Sequence, residues 1–469
     1  MGQYAVKGRA CARLMRAAAL ALGLLGTGLT GIAWAAQDPG ASATWVGTWG
    51  TAPAPAPQNE QLQTFRDQTL RLIVHTSVGG SRVRIRLSNE FGATPLRLGA
   101  VRVGLRKAGA EVVAGSERGV TFGGQGAVTL APGAPALSDP IELAVPAMAD
   151  LAVSLYLPDQ VQAQTVHSAA FQTSYVSTAG DHTAKASLPV ERSIQSWPFL
   201  TEVDVDGGPA RAALVTFGDS ITDGSTTTKD TNRRWPDVFA MRLLGRPGDH
   251  GAAGAVGVVN RGIGGNRLLR DPASWPPFGK AALARFDRDV LATAGVKYLV
   301  VLIGINDIGH PGAGAPASET VTAQELIAGY RQLIARAHDK GVKVFGATLT
   351  PFKGTTFANY YSAAKDAVRE EVNRWIRTGG EFDGVIDFDL AVRDPAQPSQ
   401  MLAAYDSGDH LHPNDQGMRA MAQAVPLELF QAARQEQRAK APSGATRARP
   451  QAPAARGKAQ GATAATPAS

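Results

Sequence analysis

Ser220 ends a hydrophobic run in "LVTFGDSITDGS" (Leu214–Ser225). A serine hydroxyl is a weak nucleophile until a base sits beside it. Further along, "DHLHPN" carries Asp409 and His412, three residues apart. Gly265 lies in "VVNRGIGGN" and Asn306 in "GIND". Taken singly, each has a plainer reading. Ser220 can cap a helix, and "GIGG" can be a tight turn or a mononucleotide-type loop. Asn306-Asp307 can be a turn and N-cap, and His412 before Pro413 can be a loop residue. Their joint occurrence points to nucleophilic chemistry, provided the elements around them bring them together.

Those elements are legible from about Gly207 onward. Strand-like runs "AALVTF", "AVGVVN", "KYLVVLI", "KVFGATL" and "GVIDFD" alternate with helical stretches. Trp235, Val238, Phe239 and Leu243 recur at helical spacing. "AQELIAGYRQLIARAHDKG" and "YSAAKDAVREEVNRWIRTGG" both end at glycine. Such alternation predicts a parallel sheet covered by helices. In an open sheet of this kind ligands gather at the carboxyl ends of the strands. Ser220, Gly265 and Asn306 each follow such an end, and Asp409 and His412 precede the last helix.

From about Thr69 to Ser177 the period is two instead. "SRVRIRLSN" sets Val83, Ile85 and Leu87 against Arg82, Arg84 and Arg86, and "LAVSLYL" puts Leu151, Val153, Leu155 and Leu157 on one face. Short strands punctuated by Gly, Pro, Asn and Asp predict an all-β sandwich or jelly roll over residues 61–206. Residues 36–60, rich in Ala, Pro, Gly and Gln, read as a linker and entry segment, with Trp45 and Trp49 available to dock onto the β domain. Residues 207–437 form the α/β domain.

Both ends read as additions to these domains. Lys7, Arg9, Arg13 and Arg16, an apolar stretch from Ala17 to about Ile32, and Ala33-Trp34-Ala35 match a cleaved signal peptide over residues 1–35. The rival reading of that stretch is a membrane anchor. Cleavage predicts a secreted or periplasmic protein with no stable membrane insertion. It also removes Cys11, the single cysteine, and with it disulfides and thiolate metal sites. Residues 438–469, an Ala/Pro-rich basic tail, have too few large apolar residues to fold. Taking the leader's four basic residues and the tail's six from the formal net charge of +7 leaves −3 for residues 36–437. The pI near 9.5 therefore belongs to the two ends. The folded body lacks the basic footprint of a nucleic-acid binder.

The blocks "FGDSITDG", "NRGIGGN", "GIND" and "DHLHP" together resemble the SGNH (GDSL) hydrolase family over about residues 211–437. The β-rich half resembles, more loosely, the extra N-terminal domain of some exported GDSL-type esterases. The resemblance implies a flavodoxin-like α/β/α sandwich and a serine esterase or lipase acting through an acyl-enzyme. It implies Ser220 as nucleophile, His412 as general base and acid, and Asp409 as the group that orients His412. The Ser220 and Gly265 backbone N–H groups and the Asn306 amide would form the oxyanion hole. These residue types suit such chemistry, since glycine permits close backbone approach and an amide donates without adding charge. No "G-x-S-x-G" elbow occurs, which disfavours the larger α/β-hydrolase fold.

Neighbours compete for two roles. His410 stands beside His412, and Asp406 competes with Asp409; the Asp-x-x-His spacing favours Asp409 and His412. Asp219 and Asp307 read as holding local turns. His75, His167, His182, His250, His310 and His338 are scattered, and no metal-ligand spacing or H-E-x-x-H is present, so neither a metal nor an organic cofactor is expected. The rival functions are an exported carbohydrate-binding or adhesive protein with an inert α/β domain, and a glycosidase using Asp387 and Asp389. Two carboxylates two apart on a strand would stand side by side rather than across a bond. The expected partner is a small or polymeric ester, with glycan a candidate for the β domain. Specificity falls to the loops Ser225–Arg234, Arg267–Phe278 and His310–Ser318.

Overall fold

The computed structural model describes residues 44–430 apart from 209, 211 and 246–255. The signal peptide read over residues 1–35 and the tail read over 438–469 lie outside the described residues.

The N-terminal region is β-rich and antiparallel. One sheet of five strands includes β1 (Val46–Gly50), β3 (Gly80–Ser88) and β7 (Leu200–Asp206); another of seven includes β2 (Gln68–His75), β4 (Ala100–Ala108), β5 (Asp150–Leu157) and β6 (Ser174–Ala179). Alternation fixes their faces. Val83, Ile85 and Leu87 of β3 are buried, while Arg84 on the other face donates to Asp204 of β7 at 2.7 Å. Leu151, Val153, Leu155 and Leu157 of β5 join them in one apolar cluster shared by both sheets. Each such side chain contributes about 1.5–3 kcal/mol on burial.

Within the segment read as linker and entry loop, Val46–Gly50 is a strand, paired antiparallel to β7. All five of its residues are buried, so no polar–apolar alternation marks it in the sequence. Trp49 packs edge-on to Trp197, and the Arg84 guanidinium lies over the Trp45 ring. Glycine lets β1 approach the second half of the molecule. A Cβ on Gly47 would meet Val259 at 2.8 Å, and one on Gly257 would meet the Gly47 carbonyl at 2.2 Å.

That second half is built on five parallel strands: β8 (Ala212–Gly218), β9 (Val256–Gly262), β10 (Val296–Leu302), β11 (Lys343–Ala347) and β12 (Gly384–Ile386). Their spatial order is β9-β8-β10-β11-β12, the flavodoxin-like 2-1-3-4-5 arrangement. Every residue of β8 is buried, as a central strand of a covered parallel sheet requires. The helices include α1 (Ser220–Asp223), α2 (Trp235–Leu244), α3 (Ala282–Phe286), α4 (Ile305–Gly309), α5 (Ala323–His338), α6 (Ala363–Thr378), α7 (Phe388–Val392) and α8 (Asp415–Ala424). A Thr322–Glu325 capping box starts α5. At the start of α6 the Ser362 side chain accepts the Lys365 N–H.

Candidate active site

Ser220 is the first residue of α1, directly after β8. Asp219 is the N-cap, its Oδ1 accepting the Ile221 N–H at 3.0 Å. At the other end of the chain, Asp409 Oδ1 accepts the N–H groups of Leu411 (2.9 Å) and His412 (2.8 Å). This local turn swings the carboxylate back onto its own histidine, and Asp409 Oδ2 lies 2.6 Å from His412 Nδ1. His412 Nε2 lies 2.8 Å from Ser220 Oγ. A carboxylate only accepts, so Nδ1 carries the proton and the Nε2 lone pair faces the serine hydroxyl. Burial alone would push the Asp409 carboxyl up. The His412 ring and the two backbone N–H groups outweigh it and hold the carboxyl well below its ordinary range. Ser220 and His412 are both buried.

The neighbouring pair sorts itself separately. His410 Nδ1 bonds to Asp406, on an exposed turn where His410 has φ +56°. Asp406 and His410 thus satisfy each other away from Ser220.

Gly265 sits in the turn after β9, closed by the Asn266 N–H donating to the Ile263 carbonyl at 3.1 Å. Its φ of +73° favours glycine, and a Cβ there would meet the Phe278 ring at 2.3 Å. Asn306 is in α4, just past β10. Its Nδ2 donates to the Asn266 carbonyl at 3.0 Å, which joins the two loops. Tyr360 donates its hydroxyl to Asn306 Oδ1 at 2.7 Å. The Asn266 carbonyl only accepts, so it fixes which end of the Asn306 amide is nitrogen, and the second Nδ2 hydrogen remains available to a ligand.

Several supports escape sequence reading. Tyr360 is 54 residues from Asn306 and shows no local signal. Arg285 is fully buried beneath the site. It donates to the carbonyls of Gly218 (3.0 Å) and Arg261 (2.9 Å), to Asn266 Oδ1 (3.1 Å) and to Asp289 (2.9 Å). Burial lowers its pKa to about 10 despite Asp289. One guanidinium therefore ties the ends of β8 and β9 together. The "DRD" step after "ALARF" gives the only hint, an i, i+4 Arg–Asp pair.

Asp307 does hold a turn: its carboxylate accepts the N–H groups of Leu268 (2.6 Å) and Leu269 (2.9 Å). Burial raises it to about 6. Asp219 is raised to about 7 by burial, and its Oδ2 has no hydrogen-bond partner. Asp387 and Asp389 stand in a cluster with Arg377, which reaches both, and Asp387 caps α7. Asp389 also accepts from Arg369 and Arg393, so both carboxylates are taken up by arginines. Among the described residues no group of three or more His, Cys, Asp or Glu side chains is arranged to hold a metal ion.

The rim is aromatic. Phe278 and His310 have ring centroids 5.6 Å apart, His310 and Tyr360 5.7 Å, and the half-exposed Phe357 lies 6.1 Å from His412. Burial, helped by Arg267 and Lys365, lowers His310 to about 4, so its ring is neutral at neutral pH. Phe278 and His310 come from two of the loops singled out in the sequence.

Residues 216–420 match the model of the GDSL-like Lipase/Acylhydrolase family. No curated protein matches the chain. Among solved structures, the chain is similar to a putative lipolytic protein of the G-D-S-L family from Desulfitobacterium hafniense, at 19% identity over 48% of this chain and 98% of that one, with a TM-score of 0.33. It is similar to an aryl esterase from M. smegmatis at 15% identity, over 48% and 99% of the two chains, with a TM-score of 0.35. A catalytic mutant of an acetylxylan esterase from Geobacillus stearothermophilus is 20% identical over 47% and 94%, with a TM-score of 0.35.

Proposed function

We propose that this chain, which belongs to the SGNH (GDSL) hydrolase family through residues 216–420, is an exported serine esterase that cleaves carboxylic esters through an acyl-enzyme. The observation that carries the reading is the unbroken hydrogen-bonded series from Ser220 Oγ to His412 to Asp409, at 2.8 and 2.6 Å.

The chemistry follows from the arrangement. Ser220 Oγ attacks the ester carbonyl carbon while His412 Nε2 takes its proton. Asp409 holds the ring in the required tautomer and stabilises the imidazolium. Negative charge grows on the carbonyl oxygen, where the N–H groups of Ser220 and Gly265 and the Asn306 amide would meet it. Collapse breaks the C–O bond, and the Nε2 proton leaves with the alcohol. Water, deprotonated by His412, then attacks the acyl-serine, and its proton returns to Ser220 as the acid departs. Apart from the attacking water, the groups used in these steps are side chains and backbone of the chain itself.

The proposed substrates are short-chain acyl esters, lipid esters or acetylated carbohydrates, presented outside the cytoplasm after removal of residues 1–35. The rings of Phe278, His310 and Phe357 support a substrate with an apolar or ring-shaped face. Ser220→Ala tests the reading. It should lower hydrolysis of a short-chain nitrophenyl ester by about 10⁴-fold or more with the fold unchanged. A serine-reactive fluorophosphonate should label the native protein and not the variant. Normal turnover by Ser220→Ala sinks the proposal, and failure to label the folded native protein favours a binding role.

A further inference from the structure

His167 belongs to a short strand of the β-rich half, Thr165–His167, paired on one side to Trp197–Pro198 and on the other to Ala54–Pro55. Its ring is buried, and both nitrogens have partners. Nδ1 lies 2.9 Å from the Ala52 carbonyl and Nε2 lies 2.9 Å from Asp223 Oδ1. A carbonyl oxygen cannot donate, so Nδ1 carries a proton. With Nδ1 protonated, Nε2 is the atom that meets Asp223, and one proton is shared between Nε2 and Oδ1. Both side chains are buried, only 3% and 5% exposed. Burial opposes charge on His167, but Asp223 and the Ala52 carbonyl outweigh it and raise the ring above its ordinary pKa.

Asp223 is the last residue of α1, the helix that begins with Ser220. Its second oxygen, Oδ2, accepts the Gly264 N–H at 3.0 Å. Gly264 and Gly265 are the two central residues of the turn closed by Asn266 and Ile263. Backbone packs directly on backbone here: a Cβ on Gly262 would meet the Asp223 nitrogen at 2.2 Å. The Asn260 amide adds a bond to the Thr222 carbonyl at 2.7 Å, and Arg234 Nε donates to the Asp223 carbonyl at 2.9 Å. One carboxylate therefore joins the nucleophile's helix to the oxyanion turn, and one histidine from the other half of the molecule holds that carboxylate.

We propose that His167 is a positioning residue of the esterase site, fixing the Gly264–Gly265 turn through Asp223, so that the β-rich half is a structural part of the oxyanion hole. The inference rests on the esterase reading for its catalytic consequence, though the tether itself does not. Without His167 the buried Asp223 Oδ1 has lost its hydrogen-bond partner. It would rotate toward Arg234 or draw in water, releasing Gly264. The cost would fall on the transition state, where the Gly265 N–H is needed, and leave substrate binding almost unchanged.

Methionine and glutamine match each other in length, and only glutamine donates a hydrogen bond, so His167→Met and His167→Gln separate the tether from simple space filling. In the Met variant, kcat for the nitrophenyl ester should fall about 10- to 100-fold with KM within about twofold, short of or equal to the loss of a whole oxyanion donor. In the Gln variant kcat should stay within about fivefold of the native value, because a donor to Asp223 remains. Amide hydrogen exchange reads the tether without any substrate. The peptide over residues 260–268 should exchange about tenfold faster in His167→Met and near the native rate in His167→Gln, with the strand Val296–Leu302 protected in both. Should His167→Met lose protection of that strand too, Asp223→Leu replaces it. Leucine is close to aspartate in size and can bond to neither His167 nor Gly264, so the same loosening of 260–268 is expected. Native exchange over 260–268 in the folded Met or Leu variant, or a loss confined to KM, overturns the inference. A native protein inert toward all esters would overturn the functional reading alone, and the exchange result would still decide the tether.

Discussion

The two halves of this molecule use buried strands for opposite purposes. In the parallel half, β8, β9 and β10 are largely apolar and buried, with Thr216, Asn260, Arg261 and Lys297 as the polar exceptions, and the loops beyond their ends carry Ser220, Gly265 and Asn306. In the antiparallel half, β3 alternates a buried aliphatic row with an arginine row, and both rows are consumed by packing and pairing. The first arrangement makes a rigid edge from which side chains project. The second makes a wall. What the contrast teaches is that rigidity, not polarity, distinguishes the reactive region. Ser220, Asn306 and His412 are buried polar groups held by short contacts to backbone and to one another, the first two just past strand ends and His412 in the loop before α8.

The contrast breaks most sharply at Asp409. Asp409→Asn should leave the wall and the sheet intact while favouring the wrong His412 tautomer, lowering kcat by about 10⁴-fold in steady-state ester hydrolysis. Asn306→Ala should lower kcat by about 10²–10³-fold, because an oxyanion donor is lost, with KM little changed. The converse belongs to the wall. Leu155→Ala in β5, a fully buried position, should cost about 2–5 kcal/mol in urea unfolding, while kcat of the folded enzyme stays near native. Equal loss of kcat and stability there would erase the distinction between the halves.

Asp219 sharpens the comparison through pH. Its folded-state carboxyl is raised to about 7, by burial first, so its neutral form is favoured by folding. Stability from this group is fully present below the unfolded value near 4 and is lost as pH rises through about 7. Asp219→Asn keeps a cap oxygen for Ile221 and has no charge to bury. Its unfolding free energy should therefore fall less than that of the native protein between pH 4 and 7, by on the order of 3 kcal/mol. Identical pH profiles for the two proteins would contradict the assignment. The smallest effect is expected at Tyr360→Phe, which removes only the hydroxyl that orients Asn306. A drop in kcat of about 3- to 10-fold with unchanged KM would mark Tyr360 as positioning the amide.

Legibility followed the range of the physics. Ser220, Gly265, Asn306, Asp409 and His412 stand in short local blocks, and the Asp409–His412 turn is made by three consecutive peptide groups. Such features show in a sequence. The alternation of Arg82–Leu87 likewise announced its strand. Val46–Gly50 did not, because it is buried on both faces and carries two glycines for close approach to β9. "GVIDFD" read as one strand, but the strand stops at Ile386, since Asp387 turns to cap α7. Arg285, Tyr360 and His167 act across 67, 54 and 56 residues, and beyond the Arg285–Asp289 pair no local pattern could register them.

The loop bearing Asp409 and His412 has a consequence in time. Ser220 and His412 are 192 residues apart in the chain. At about 5–20 residues per second, synthesis of that interval takes about 10–40 s. Throughout it the growing polypeptide holds Ser220, then Gly265 and Asn306, without His412. On the proposed reading the protein is thus made with its reagent present and its trigger delivered last, so that reactivity arrives only with the loop that carries Asp409 and His412.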